Sequence, residues 1–335
     1  MYYKILFYST LMIGSLISVS SYSWMGMWIG LEINLLSMIP LISSSNNMMA
    51  SEASLKYFVT QALASSVLLL SIILMSINDM HNINSVHYFS LIFNSALLTK
   101  MGAAPFHFWF PEVMEGLNWP NALIMLTWQK LAPMALIMFS NNSYMYMILA
   151  IIFSMSVSGI MGLNQTSLRK IMAYSSINHI GWMIASMMLM ETIWIMYFTI
   201  YTIITINIVS IFYLFNVFYM NQLYISMNYN LTFKFFFVLN FLSLGGLPPF
   251  LGFAPKWMTI NLLAESNLYF IAFMMVLMTL VTLYFYLRIM FSTILLSKTH
   301  IGYYKHSDMK NNMLMIINAI SIMGLMFSTF MFNVI

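Results

Sequence analysis

Apolar runs of bilayer-spanning length follow one another along almost the whole chain, with only short connections between them. About 20 apolar residues in a helix cross a hydrocarbon core of roughly 30 Å. Inside lipid the backbone finds no water to bond, so each run must satisfy its own N–H and C=O groups. The runs read as eleven helices, at 3–21, 24–42, 55–77, 86–104, 120–139, 144–163, 168–190, 192–219, 233–263, 267–296 and 312–334. With 61% hydrophobic residues, 6% charged residues and a mean hydropathy of +0.87, no soluble fold is compatible with this chain. The expectation is an all-α polytopic membrane protein forming a single membrane domain over 1–335. The first run competes with a cleaved signal peptide, given the small residues Ser18–Ser21, but its length favours a retained helix.

Two of these runs are broken by design. At 97–111, LLTKMGAAPFHFWFP, a lysine (Lys100) sits within an apolar helix, and Gly102, Ala103, Ala104 and Pro105 begin two residues after it. A cation at bilayer depth costs roughly 2.5–3.5 kcal/mol on insertion scales, and a freed carbonyl there must find a protein or water partner. The device returns later in the chain, where GAAPFHFWFP (102–111) aligns with GLPPFLGFAP (246–255), so that Gly246, Pro248 and Pro249 mark a second break. A charged residue follows each copy, Glu112 in one and Lys256 in the other. Paired Gly/Pro-interrupted segments in two halves of a membrane chain point to a repeat-built transporter with its site at the breaks.

Charge placement tests the helix count. Of the 12 Lys and Arg, Lys100, Lys130, Lys256 and Arg288 fall inside runs. Lys4, Lys56, Arg169, Lys170, Lys234, Lys298, Lys305 and Lys310 fall at the N-terminus or in even-numbered connections. An N-terminus on the positive side and eleven spans explain this pattern. Helices one to five (3–139) and six to ten (144–296) then form two five-helix repeats, each with a discontinuous fourth member. An odd number of spans per repeat makes them inverted, and a final helix follows at 312–334.

The intramembrane charges are the candidate chemistry. Glu32, in GLEINLL, has no basic residue within four positions, so its partner must come from another helix, with Lys100 or Lys130 the candidates. Burial disfavours the charged form of carboxylate and amine alike, while each stabilises the other's charge, so a buried Glu/Lys set is suited to exchanging protons near neutrality. The plain alternative is a static ion pair. Lys130 lies three residues before Pro133, where a helix is locally distorted. Lys256 is either a gate or a side chain snorkelling from a helix end, and snorkelling is the better reading of Arg288. Ser175, Ser176, His179 and Ser186 share one side of the seventh run. His179 is a possible relay there, or a hydrogen-bonded core histidine. Thr202, Thr205, Asn240 and Ser243 continue a polar track or hold helices together. His107 sits in the first break. His81, His87, His300 and His306 lie in connections and do not converge on a metal. Asn-x-Ser/Thr sites at Asn141, Asn164 and Asn230 are weak signals.

Absent motifs narrow the field. With no cysteine, disulfides, thiolate metal sites and cysteine-ligated iron–sulfur clusters are excluded. No G-x-G-x-x-G, Walker loop or H-E-x-x-H is present. Dispersed basic residues argue against nucleic acid, despite a net charge of +4. The 37 methionines fit gap-filling in helix packing or a compositional skew of the genome.

The blocks GLEINLL, ASLKYFVTQALAS, LLTKMGAAPFHFWFPEV, WQKLAP, SLRKIMAYSSINHIGWM and GGLPPFLGFAPKW resemble the chain 2 family of mitochondrial NADH–ubiquinone oxidoreductase (respiratory complex I) over nearly the whole sequence. That family is related to the antiporter-like membrane-arm subunits and to subunits of multisubunit cation/proton antiporters. The resemblance implies a proton path through Glu32, Lys100, Lys130 and Lys256, with His179 where relatives carry a lysine. It implies a non-redox subunit of a proton-translocating enzyme, with NADH, flavin, iron–sulfur clusters and ubiquinone on other subunits and no cofactor or metal in this chain. Implied partners are the other membrane-arm subunits, the lipid bilayer and protons. The implied location is the mitochondrial inner membrane, N-terminus in the matrix and C-terminus on the intermembrane side, with no presequence. The alternatives are a stand-alone cation/proton antiporter, which would need a carboxylate-and-carbonyl cage for sodium, and a purely structural arm component, which four intramembrane charges argue against.

Overall fold

The structure, a computed structural model, describes residues 2–44, 47–81, 86–140, 143–227, 231–248 and 250–295. The run expected at 312–334, the 298–312 connection, Pro249, and the sites at Asn141 and Asn230 lie outside the described residues. The described residues are helical apart from turns and one isolated bridge between Ser167 and Tyr219. Among them, seven helices are long and apolar enough to cross a bilayer. By contact clustering the chain divides into two compact units, Met1–Val157 and Ser158–Ile335.

The first unit opens with α1 (Tyr2–Ser20) and α2 (Trp24–Ile42). Ser23 caps α2, its Oγ accepting from the Gly26 N–H at 3.2 Å. The two helices cross backbone to backbone at a glycine pair. A Cβ on Gly30 would stand 2.5 Å from the Ser18 nitrogen and 2.8 Å from the Gly14 carbonyl oxygen. Small residues allow this approach, and dispersion between two bare helix faces is what holds helices together where water gives no hydrophobic drive. Next come α3 (Met48–His81) and α4 (Val86–Met101), with α3 packed against α2 and α4. Trp28 ties α2 to α3 by donating from Nε1 to the Ser65 carbonyl at 3.0 Å. After the break, α5 (Trp109–Gly116) lies on the start of α3, where a Cβ on Gly116 would collide with the Met49 carbonyl. The span expected at 120–139 is divided at Thr127 into α6 (Trp119–Leu126) and α7 (Trp128–Phe139).

Expected boundaries needed one correction of substance here. Because α3 begins at Met48, Lys56 belongs to its early turns rather than to a connection. There it pairs with Glu52 and with Glu112 of α5, both at 2.8 Å.

The unit boundary falls within α8 (Tyr144–Gly162). The second unit is built on α9 (Leu168–Leu189), buried on all sides along nearly its whole length. Around it stand α10 (Glu191–Phe215), α12 (Leu231–Gly245), α13 (Phe253–Glu265) and α14 (Tyr269–Leu295), with the short α11 (Met220–Ser226) between α10 and α12. The α8–α9 and α10–α11 connections are joined by backbone bonds from Leu168 N to Phe218 O and from Met220 N to Thr166 O. Exposed Arg288 donates to the Leu163 carbonyl at 3.1 Å, as a snorkelling side chain does, and Lys234 donates to the Ile294 carbonyl at 3.3 Å. Arg169, Lys170, Lys234 and Arg288 thus gather at one end of this unit, as an alternating up-and-down path requires.

The glycine crossing generates a test. Gly30→Ala must push two backbones apart and is expected to destabilise by about 1–3 kcal/mol. Gly159→Ala, whose Cβ would meet Val281 at an ordinary 3.4 Å, is the matched control. Thermal denaturation of the detergent-solubilised assembly should separate the two, and equal midpoints would refute the tight crossing.

Candidate functional site

Each break is a helix end that lipid cannot solvate. The last four carbonyls of a helix lack intrahelical partners and must be met by something else. α4 stops at Met101 because Gly102 adopts φ +73°, a left-handed conformation that costs a side-chain-bearing residue roughly 1–2 kcal/mol. Gly102 N then donates to Thr99 O (3.1 Å) and Ala103 N to Leu98 O (3.0 Å), the paired bonds of a Schellman turn. The second break repeats this bond for bond. Gly246 has φ +74°, its N–H donates to Ser243 O at 3.0 Å, and Leu247 N donates to Leu242 O at 3.3 Å.

Side chains add to these backbone bonds, and here the two breaks differ. In the second unit Lys256, on the first turn of α13, turns inward and is buried. Its Nζ donates to Leu244 O at 3.2 Å and to Gly245 O at 3.0 Å, and lies 5.9 Å from the centre of the Trp182 ring. Lys256 therefore does not snorkel. Gly246 is required twice over, since a Cβ there would stand 2.7 Å from Lys256 Cδ and 2.9 Å from its Nζ. In the first unit the carbonyl of Lys100 receives Gln61 Nε2 of α3 at 3.4 Å, and Thr99 O also accepts from Trp109 Nε1 at 3.0 Å.

The first break is thereby joined to Glu32 and Lys130. Lys100 and Lys130 are both buried, and with Tyr57, Phe110 and Gln129 they line one cavity of about 10 Å³. A second of about 10 Å³ is lined by Lys100, Tyr57 and Gln129 again, together with Asn34, Gln61 and Pro133. Each is room for about one water. Lys130 Nζ lies 5.4 Å from the Phe110 ring centre, and the same ring packs over Gly102. The Glu32 carboxylate is within electrostatic reach of Lys100 and Tyr57, with Oε2 buried and lacking a hydrogen-bond partner among the described residues. Of the two partners considered for Glu32, the structure thus places Lys100 in range. His107 is buried beside the break, Nδ1 3.3 Å from the Pro105 carbonyl.

In the second unit His179 Nδ1 is 2.9 Å from the Tyr197 hydroxyl. The two line a further cavity of about 10 Å³ with Tyr201, Ser243 and Leu244, the residue whose carbonyl holds Lys256. The serine hydroxyls of the α9 stripe bond back onto their own helix, and Ser175 and Ser176 also meet the hydroxyls of Tyr286 and Tyr201. Ser175, Ser176 and Ser186 donate to the carbonyls three residues back, Met172, Ala173 and Met183, at 2.7–2.8 Å. Thr205 and Ser243 do the same toward Thr202 and Asn240. The residues that sequence reasoning passed over are Asn34, Tyr57, Gln61, Gln129 and Tyr197. Each amide lies within blocks already singled out, and an amide inside an apolar helix was the available signal.

The chain as a whole has relatives among known proteins. The profile of the NADH:quinone oxidoreductase/Mrp antiporter transmembrane family matches residues 21–282. The chain belongs to this family. Its relatives include proteins named NADH-ubiquinone oxidoreductase chain 2 from Anopheles gambiae, 48% identical over 96% of this chain and 95% of that one, and from Aedes aegypti, 49% identical over 98% of both. The protein of that name from Dasypus novemcinctus is 40% identical over 85% and 83%. Among solved structures, a chain of respiratory complex I from Thermus thermophilus shares the fold with a TM-score of 0.88 at 22% identity, covering 97% of this chain and 78% of that one. A chain of an Mrp complex from Dietzia reaches 0.78 at 16% identity, covering 87% and 60%.

The shared cap of the second break can be tested by a double-mutant cycle. Lys256→Met leaves two buried carbonyls unmet and is expected to destabilise by about 1–3 kcal/mol. Gly246→Ala displaces the same lysine, so the two losses should fall short of additivity by more than about 0.5 kcal/mol. Additive thermal destabilisation would show that glycine and lysine do not act through one cap.

Proposed function

We propose that this chain is the chain 2 type membrane-arm subunit of the respiratory NADH–ubiquinone oxidoreductase, and that it translocates protons through Glu32, Lys100, Lys130, Lys256 and His179. The observation that carries the reading is the junction at the first break, where two buried lysines line one water-sized cavity and the half-buried Glu32 carboxylate, on another helix, lies in range of Lys100. Charges are rare at this depth unless they serve a path for ions or protons. Near-full-length similarity to proteins named as that enzyme's chain 2 supports the oxidoreductase subunit over a self-standing cation/proton antiporter.

On this reading the chain does no redox chemistry. NADH, flavin, iron–sulfur clusters and ubiquinone belong to other subunits, and the chain's partners are its membrane-arm neighbours, lipid and protons. Quinone reduction elsewhere shifts an ionisable group next to Glu32. The altered Glu32–Lys100 interaction changes which lysine holds a proton, and the proton moves through the central lysines to the outer side. The gathering of basic residues at one end of the second unit supports the alternating path behind eleven spans, two inverted repeats and an N-terminus in the matrix of the mitochondrion.

The test is proton pumping measured beside NADH–quinone turnover in the assembled complex carrying Lys100→Met. Impaired pumping with intact assembly is the expected outcome. Full pumping would remove Lys100 from the path and with it the central assignment.

A further inference from the structure

Between Lys100 and Lys130 lies a side chain that carries no charge and that both cavities of the first unit share. Gln129 lines the space common to the two lysines and the space that holds Asn34 and Gln61. A water at this depth needs two to four polar partners. Ammonium groups only donate, and the Phe110 face beside Lys130 offers no acceptor of comparable strength. Trp109 Nε1 is committed to the Thr99 carbonyl. A water between one protonated and one neutral lysine has a single hydrogen left to place, and the lining side chains with an oxygen to accept it are Gln129 and Tyr57. The Gln129 amide is held for that role: its Nε2 donates to Asn34 Oδ1 of α2 at 2.9 Å, which leaves Oε1 as an acceptor.

We propose that Gln129 is a positioning residue for proton transfer between Lys100 and Lys130, its amide anchored by Asn34 and its carbonyl orienting the single water that links the two amines. This rests on the proton path proposed above. In the transfer, one protonated lysine gives an N–H proton to the water. The water gives another of its protons to the lone pair of the second, neutral amine, so one proton moves and nothing else is consumed. Gln129 neither gains nor loses a proton. It fixes where the water's hydrogens point.

The experiment uses the assembled complex. Gln129→Met keeps length and approximate volume while removing both polar atoms. The expected result is intact assembly, pumping-coupled turnover reduced roughly tenfold, and a larger slowing in D2O than the unmodified complex shows. Asn34→Leu, which releases the amide, should raise the D2O sensitivity in the same direction with a smaller loss of rate. Should Gln129→Met not assemble, Gln129→Glu preserves shape and adds a titratable group in the cavity, and the pH profile of turnover should shift. Assembled Gln129→Met with unaltered pumping and isotope effect, or Gln129→Glu with an unaltered pH profile, would overturn the proposal. Failure of the underlying path has a different signature: Lys100→Met and Lys130→Met would then pump normally too.

Discussion

What the rest of this structure depends on is the bonding of helix-end carbonyls where lipid offers no donor. α12 accounts for all of its last four. Leu242 and Ser243 are met by the backbone of the glycine turn, Leu244 and Gly245 by the ammonium of Lys256. α4 treats its Leu98 and Thr99 carbonyls by the same backbone bonds, but the carbonyl of Lys100, which aligns with Leu244, is met by Gln61 from a neighbouring helix. A break at membrane depth is tolerable only with such a set of donors. The positions of α3, α5 and α13 follow from supplying them.

The same backbone is therefore closed by different chemistry, and that difference bears on function. Where Lys256 stands in the second copy, the first has Glu112. Glu112 points outward to Lys56 on α3, whereas Lys256 points inward to the helix end. With Gln61 on the Lys100 carbonyl, the Lys100 ammonium is not spent on capping and faces cavities shared with Lys130 and Gln129. In the second unit the lysine is itself the cap, so on the proton path proposed above a change in its protonation would also change the bonding of the break.

Most of the architecture was legible in the sequence, because apolar runs and Gly/Pro interruptions act locally. The runs at 24–42 and 144–163 fall on α2 and α8 to within a residue. The turn at Gly102 and its copy at Gly246 were legible because only glycine takes φ near +73° cheaply. The early start of α3 was not, since Glu52 and Lys56 look like a polar connection until Glu112 of α5 is seen beside them. The inward turn of Lys256 depends on a through-space contact that no spacing encodes. The bonding of Gln129 to Asn34 joins α7 to α2 and is likewise invisible along the chain.

The polar stripe of α9 shows why residue type alone misplaces a proton route. Its serines turn their hydroxyls back onto the carbonyls of their own helix, as Thr205 and Ser243 do on α10 and α12. A hydroxyl bonded this way spends its one donor locally and keeps only acceptor capacity for a neighbour, as Ser175 and Ser176 do toward Tyr286 and Tyr201. Amides and amines cannot satisfy themselves so cheaply. Gln129, Gln61 and Asn178 reach to other helices, and Lys100 and Lys130 reach into cavities. In a chain as apolar as this one, side chains that bond across helices or line cavities at depth are few, and Lys100, Lys130, Gln129 and Gln61 gather around the first break. That clustering, rather than the count of polar residues along a helix face, is what sets the first break apart.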